Sequence, residues 1–150
     1  METKDELEKK AYALMESGLN WAESTITILG EDLDYDKAQA MKMATPFGGG
    51  VARWGTVCGA VVGGAMALGY CFGRTKSEEK EKRDKAYAKA QEMIREFERN
   101  FSSIQCRDII HLNLLDPADQ KKFEELNLRK KCSQIVAKNV ENIRRLLKEK

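Results

Sequence analysis

The chain has 150 residues, of which 42% are hydrophobic and 33% are charged, and its formal net charge at pH 7 is only +2. This length is typical of one domain with its own core, so we predict a single helical domain over residues 1–150. The near balance of charge, without a cluster of basic and aromatic side chains, argues against nucleic-acid binding. The first residues lack a basic segment followed by an apolar one, so we expect no secretory signal and a cytoplasmic protein.

The first third of the chain has the pattern of three helices. Apolar residues recur every three or four positions over residues 3–17. Asn20 and Glu23 have the spacing of a capping box, which predicts the start of a second helix. Asp34 is the predicted cap of a third, short helix. The segment Phe47–Gly50 is predicted to be a flexible connection, because glycine tolerates positive φ angles.

The predicted fold is organised around the uncharged stretch at residues 55–73. It contains six glycines. Each glycine inside a helix costs about 1 kcal/mol relative to alanine, so we expect another group to pack closely against this backbone. We predict a central glycine-rich helix at about residues 54–72, in which Gly59 and Gly63 share a face that a cofactor or a partner helix could approach. A membrane span is the alternative explanation, but large apolar side chains are few, so a buried helix is the favoured interpretation.

The second half of the chain also has helical patterns. Thr75 and Glu78 have capping-box spacing and predict a long helix that ends near residue 100. Asp116–Pro117 is typical of a helix start with proline in the first position. The last predicted helix spans about residues 130–147 and has one apolar stripe. Because no alternation typical of a strand appears, we predict an all-α fold, a compact multi-helix bundle around the central helix.

Three of the four cysteines could share one site. Cys58 is near the start of the central helix, Cys106 precedes a short helical turn, and Cys132 is near the start of the last helix. A helix N-terminus and nearby cations favour the thiolate, the form that binds metals or attacks disulfides. Cys71 lies about 20 Å from Cys58 along a continuous helix, so we predict a core thiol outside the site. The alternative is that each cysteine is a small buried residue. His111 is a candidate additional ligand.

Several short motifs follow one another along the chain. They are Asn20-x-Ala22-Glu23-Ser24, Phe47-Gly48-Gly49-Gly50, Cys58-Gly59-Ala60-Val61-Val62-Gly63, Ile104-Gln105-Cys106-Arg107 and Cys132. In this order they resemble the C_GCAxxG_C_C family of redox-active proteins, and the resemblance covers about residues 12–145. Relatives of that family include the cysteine-bearing part of split-Soret cytochromes. The resemblance implies a small helical domain whose four cysteines hold an iron–sulfur cluster or another metal ion, or carry out thiol redox chemistry.

The sequence departs from the family pattern at one position. Where the family has its first cysteine, after the asparagine, this chain has Trp21. The resemblance therefore implies a metal site of Cys58, Cys106 and Cys132 only. His111, an exogenous ligand or a side chain of a partner could complete it.

The sequence leaves three functions open. The favoured one is a redox or metal-binding protein that transfers electrons to a redox partner, with Cys58, Cys106 and Cys132 as ligands. The second is a thiol–disulfide oxidoreductase in which Cys106 and Cys132 react. The third is a helical binding or assembly module that has lost its cofactor and whose glycine face receives a partner helix or the second copy of a homodimer. Whether the protein is an enzyme is not decided by the sequence.

Overall fold

A computed structural model describes residues 2–149, which form eight α-helices and one short 3₁₀ turn. The helices are α1 (Lys4–Glu16), α2 (Trp21–Leu29), α3 (Lys37–Ala44), α4 (Gly59–Phe72), α5 (Lys80–Phe101), α6 (Cys106–Ile110), α7 (Pro117–Glu125) and α8 (Leu128–Lys148), with the 3₁₀ turn at Thr45–Phe47. The only extended pairing within the described residues is an isolated antiparallel bridge between Val57 and Gln105. The predicted all-α bundle is confirmed.

The glycine-rich helix α4 packs against α2, α5 and α8, and three of its glycines lie where neighbouring helices touch it. A Cβ atom on Gly59 would lie 2.7 Å from the backbone nitrogen of Ala22 in α2, and one on Gly63 would lie 3.0 Å from the carbonyl oxygen of Ala22. A Cβ atom on Gly64 would lie 2.5 Å from the side chain of Ile143 in α8. The glycine face considered for a cofactor or a partner is therefore occupied by α2 of the same chain.

The central helix begins at Gly59, so the predicted start at residue 54 is wrong. Residues 48–57, here called the left-handed loop, precede it. Five consecutive residues of this loop, Gly49 to Arg53, have φ angles between +50° and +73°. The uncharged stretch begins at Gly55, before the helix. The helix start predicted from this composition was therefore too early. α4 has 14 residues, and no helix within residues 2–149 combines the length and the apolar character that a membrane span requires.

Two predicted helix starts are confirmed in detail. In the capping box of α2, the backbone N–H of Glu23 donates to Asn20 Oδ1 at 2.8 Å, and the backbone N–H of Asn20 donates to Glu23 Oε1 at 2.9 Å. Asp116 caps α7, and Pro117 occupies its first turn. These caps satisfy backbone N–H groups that have no partner inside the helix.

Two other predicted caps are wrong. α3 is capped by Asp36 rather than by Asp34. α5 begins at Lys80, without the capping box predicted from Thr75 and Glu78. Both differences occur where several polar residues in a short segment have suitable side chains, so that spacing alone does not select the cap.

Candidate functional site

Three cysteines from three separate segments are buried in one region of the molecule. Cys58 is the N-cap residue of α4, Cys106 is the first residue of α6, and Cys132 lies in the second turn of α8. All three side chains are fully buried. They are close enough to interact electrostatically, because negative charge on Cys58 or Cys106 would raise the pKa of Cys132.

The bridge between the left-handed loop and the start of α6 positions the first two thiols. The backbone N–H of Cys58 donates to the carbonyl of Ile104 at 2.7 Å, and that of Cys106 donates to the carbonyl of Thr56 at 2.6 Å. Side chains alternate along extended segments, so both cysteines lie on the same face of this bridge, in diagonal positions. Two backbone hydrogen bonds thus bring together cysteines that are far apart in the sequence.

The left-handed loop covers Cys106. Gly50 has φ +73°, and a Cβ atom there would lie 2.7 Å from the Cβ atom of Cys106 and 2.6 Å from the backbone nitrogen of Thr56. The backbone N–H and Nε of Arg107 both donate to the carbonyl of Gly55 at 3.1 Å, which joins the loop to α6. The flexible connection predicted for these glycines is instead a packed loop, in which Gly50 contacts Cys106. The run of three glycines was the available signal.

The start of α8 is joined to α6 beside Cys132. Lys131 Nζ donates to the carbonyl of Ile109 at 2.8 Å. The apolar stripe of α8 faces the core, and Ile135 and Val136 are buried one turn after Cys132. Amphipathic packing of α8, together with this contact, therefore places the third thiol inside the bundle.

Burial raises the pKa of all three thiols. It raises the pKa of Cys58 from its ordinary value of 9.0 to about 12 and that of Cys106 to about 11. The pKa of Cys132 is raised further, first by burial and then by the neighbouring thiols. The amides of the first turn of α4 lower the pKa of Cys58, and two nearby cations lower that of Cys132, but these effects are smaller than that of burial. Helix N-termini and cations thus favour the thiolate as expected, but burial outweighs them and keeps the pKa of each thiol above its ordinary value.

The remaining cysteine and the histidine lie outside this buried group. Cys71 is exposed near the C-terminal end of α4, so the prediction of a core thiol is wrong. Cys71 and the adjacent Tyr70, which is 52% exposed, lie on the solvent side of the last turn of α4, while Phe72 of the same turn is buried. His111 is the exposed C-cap residue of α6, at the opposite end of that helix from Cys106.

The exposure of Cys71 and the burial of the other three cysteines predict which thiols react. With a disulfide reagent at pH 8, we expect one prompt thiol per chain, removed by Cys71→Ser and retained in Cys132→Ser. Cys58 and Cys106 should react only after unfolding or as the pH approaches 11–12, because thiolate is the reacting form, and Cys132, whose pKa is raised further, should react only after unfolding. Two or more prompt thiols at pH 8 in the folded protein would contradict the described burial.

The same pKa shifts make folding depend on pH. Between the ordinary thiol pKa and the raised values of about 11 and 12, the unfolded chain binds fewer protons than the folded chain. The free energy of unfolding contributed by these thiols is therefore intact below about pH 8.5 and decreases as the pH rises above it.

Trp21 lies beside the thiol-bearing start of α4. It is the first residue of α2 and is 6% exposed. A Cβ atom on Gly59, the residue after Cys58, would lie 3.2 Å from the Cβ atom of Trp21. The position at which the family pattern has a cysteine thus adjoins the segment that carries Cys58, and in this chain an indole side chain fills it.

The three thiols are side chains of the type that binds soft metals. In the structure, however, they are not arranged around a common metal position. Sulfur ligands suit soft ions and iron–sulfur clusters. Residues 2–149 nevertheless contain no group of three or more His, Cys, Asp or Glu side chains arranged to hold a metal ion. Thiolate sulfurs lie about 2.3 Å from a shared zinc ion, so binding one ion would require these side chains to move together. A site of four cysteines does not fit, because Trp21 replaces the fourth.

A comparison with known protein families gives a match over most of the chain. A family model described as "Putative redox-active protein (C_GCAxxG_C_C)" matches residues 19–146, which include Trp21 and all four cysteines. No curated protein matches the chain significantly, and no solved structure does. The extent of the family match is decisive, and the chain belongs to the C_GCAxxG_C_C family of putative redox-active proteins.

Proposed function

We propose that Cys58, Cys106 and Cys132 form the redox-active centre of this protein as ligands of a soft metal centre, such as an iron–sulfur cluster. The observation that carries this proposal is the complete burial of three thiols from three different segments, two of which are joined by backbone hydrogen bonds. Family membership supports redox activity but assigns no reaction to the chain. A redox partner protein would receive or supply the electrons.

Metal binding accounts for the buried thiols better than thiol chemistry does. With a pKa of about 11, Cys106 is ionised in only about one molecule in 10⁴ at pH 7. A bound cation removes this obstacle, because a coordinating thiol loses its proton and the positive charge offsets the repulsion between thiolates. A metal centre of this type supplies one-electron transfer when it is bound. The chain contributes the ligands and a buried surrounding that excludes water.

The thiol–disulfide alternative is less well supported. Exchange requires a thiolate that a partner can reach, and all three thiols are buried and protonated. The pair predicted to react, Cys106 and Cys132, is fully buried, and neither thiol takes part in a disulfide.

The assembly-module alternative is less well supported too. α2 fills the glycine face at Gly59 and Gly63, and a partner helix would have to displace it. Gly59→Leu would therefore disturb the contact between α2 and α4 whether or not the protein associates, so its effect on association could not be interpreted alone.

Anaerobic loading with iron and sulfide tests the proposal. We expect the wild-type protein to retain iron and acid-labile sulfide after desalting, and Cys132→Ser to retain at least about ten-fold less, since changes even outside the ligand shell cost 10–100-fold in affinity. Cys71→Ser is the matched control, because Cys71 is exposed and remote from Cys58, and it should load like the wild type. Equal iron and sulfide in Cys132→Ser and the wild type would contradict the proposal.

A further inference from the structure

A cleft of about 800 Å³ adjoins segments that pack against the buried thiols and has no role in the proposed metal centre. The end of α1, the start of α2, the left-handed loop, α7 and the start of α8 form its walls. Trp21 and the loop are shared between the two regions: they line the cleft and also contact the segments that carry Cys58 and Cys106. The volume lies in the range typical of small-molecule sites.

Much of the cleft lining is apolar, with aromatic side chains from two separate elements. Phe123 of α7, Leu19 and Leu114 are partly exposed there, while Trp21 at the start of α2 is 6% exposed and contributes less surface. Aromatic rings offer broad, flat contact area and lose little side-chain entropy on binding. This surface favours a ligand with a flat apolar body.

The charges in the cleft favour an anion. Glu23 already accepts hydrogen bonds from a backbone N–H and from a threonine hydroxyl, both at 2.9 Å, and Glu124 is paired with Arg129. Lys121 has only a distant partner, a glutamate oxygen at 3.9 Å one turn along its helix. The guanidinium of Arg53 forms no ion pair or hydrogen bond with any group in residues 2–149. The two carboxylates of the cleft therefore already have hydrogen-bond or ion-pair partners, whereas the guanidinium of Arg53 is free to bind a ligand.

We propose that this cleft binds a small, flat organic anion, such as an aromatic carboxylate or sulfonate. Its apolar body contacts Phe123 and the small exposed part of Trp21, and its anionic group is bound by Arg53, whose fork of N–H donors matches planar oxyanions. Binding does not require a metal at the thiols, so this proposal and the proposed redox centre can fail independently.

Calorimetric titration of the metal-free, full-length protein with naphthalene-2-sulfonate tests the site. We expect binding by the wild type, with a shift of the Trp21 indole N–H resonance. Arg53→Asn should bind at least about ten-fold more weakly, because hydrogen bonds to charged groups are among the stronger ones. Asparagine tolerates the φ of +67° at residue 53, so this variant keeps the loop conformation. Lys76→Gln removes an exposed positive charge outside the cleft and should bind like the wild type.

A second ligand separates the contribution of charge from that of apolar contact. Uncharged naphthalene-2-methanol should bind the wild type at least about ten-fold more weakly than the sulfonate does. The proposal is overturned if the wild type does not bind the sulfonate, if Arg53→Asn binds it equally well, or if both ligands bind equally. It is also overturned if the resonance shift appears at Trp54 and not at Trp21.

Discussion

Replacement of Gly50 by alanine is expected to lower the free energy of unfolding by about 3 kcal/mol or more. Left-handed backbone costs a residue with a Cβ atom roughly 1–2 kcal/mol. The new Cβ atom would also lie 2.6 Å from the backbone nitrogen of Thr56 and 2.7 Å from the Cβ atom of Cys106, and neither atom can move freely. Urea denaturation followed by circular dichroism measures the change.

Gly18→Ala is the matched control for Gly50→Ala. Gly18 also has positive φ, at +111°, but a Cβ atom there would meet nothing within 4 Å. Its cost should be limited to backbone strain, about 1–2 kcal/mol. Similar losses for both variants would mean that the left-handed loop is not packed on Cys106 as described.

Replacement of Trp21 by cysteine is expected to change stability and metal loading in opposite directions. Removal of a buried tryptophan should lower the free energy of unfolding of the metal-free protein by about 3–5 kcal/mol. The new thiol would adjoin Gly59 and so supply the fourth sulfur of the family pattern. We expect the variant, loaded anaerobically, to bind more iron and sulfide per chain than the wild type and to regain stability when loaded.

Trp54→Cys provides the control for this substitution. Trp54 is 66% exposed, so its replacement should change stability little and should leave iron and sulfide content unchanged. If Trp21→Cys binds no more iron than the wild type or Trp54→Cys, position 21 is not part of the metal site in this chain.

The helices were predictable because their signals are local. The capping box of Asn20 and Glu23 and the proline start at Pro117 depend on residues within one turn of each other, and both appear as predicted. The left-handed loop was not predictable, because positive φ at Val51, Ala52 and Arg53 opposes the intrinsic preference of these residues. Contacts to distant segments, such as that of Gly50 with Cys106, hold the loop instead.

The candidate site was predictable in part. Spacing identified Cys58, Cys106 and Cys132 as a possible group and separated Cys71 from them. The bridge that joins the segments of Cys58 and Cys106 is a long-range pairing that no local pattern reveals. The direction of the thiol pKa shifts was also missed, because burial depends on the whole bundle and outweighs the local helix and charge effects.

Cadmium titration of Cys71→Ser is the most direct test of a single three-thiol site, because this variant retains only the three buried cysteines. Cadmium is a soft ion that prefers thiolate ligands, and the ultraviolet absorption of its thiolate bonds counts the sulfurs bound. We expect one ion per chain, bound by three thiolates, and loss of this absorption pattern in the double variant Cys71→Ser/Cys132→Ser. Binding by a single thiolate, or an unchanged spectrum in the double variant, would contradict a three-thiol site.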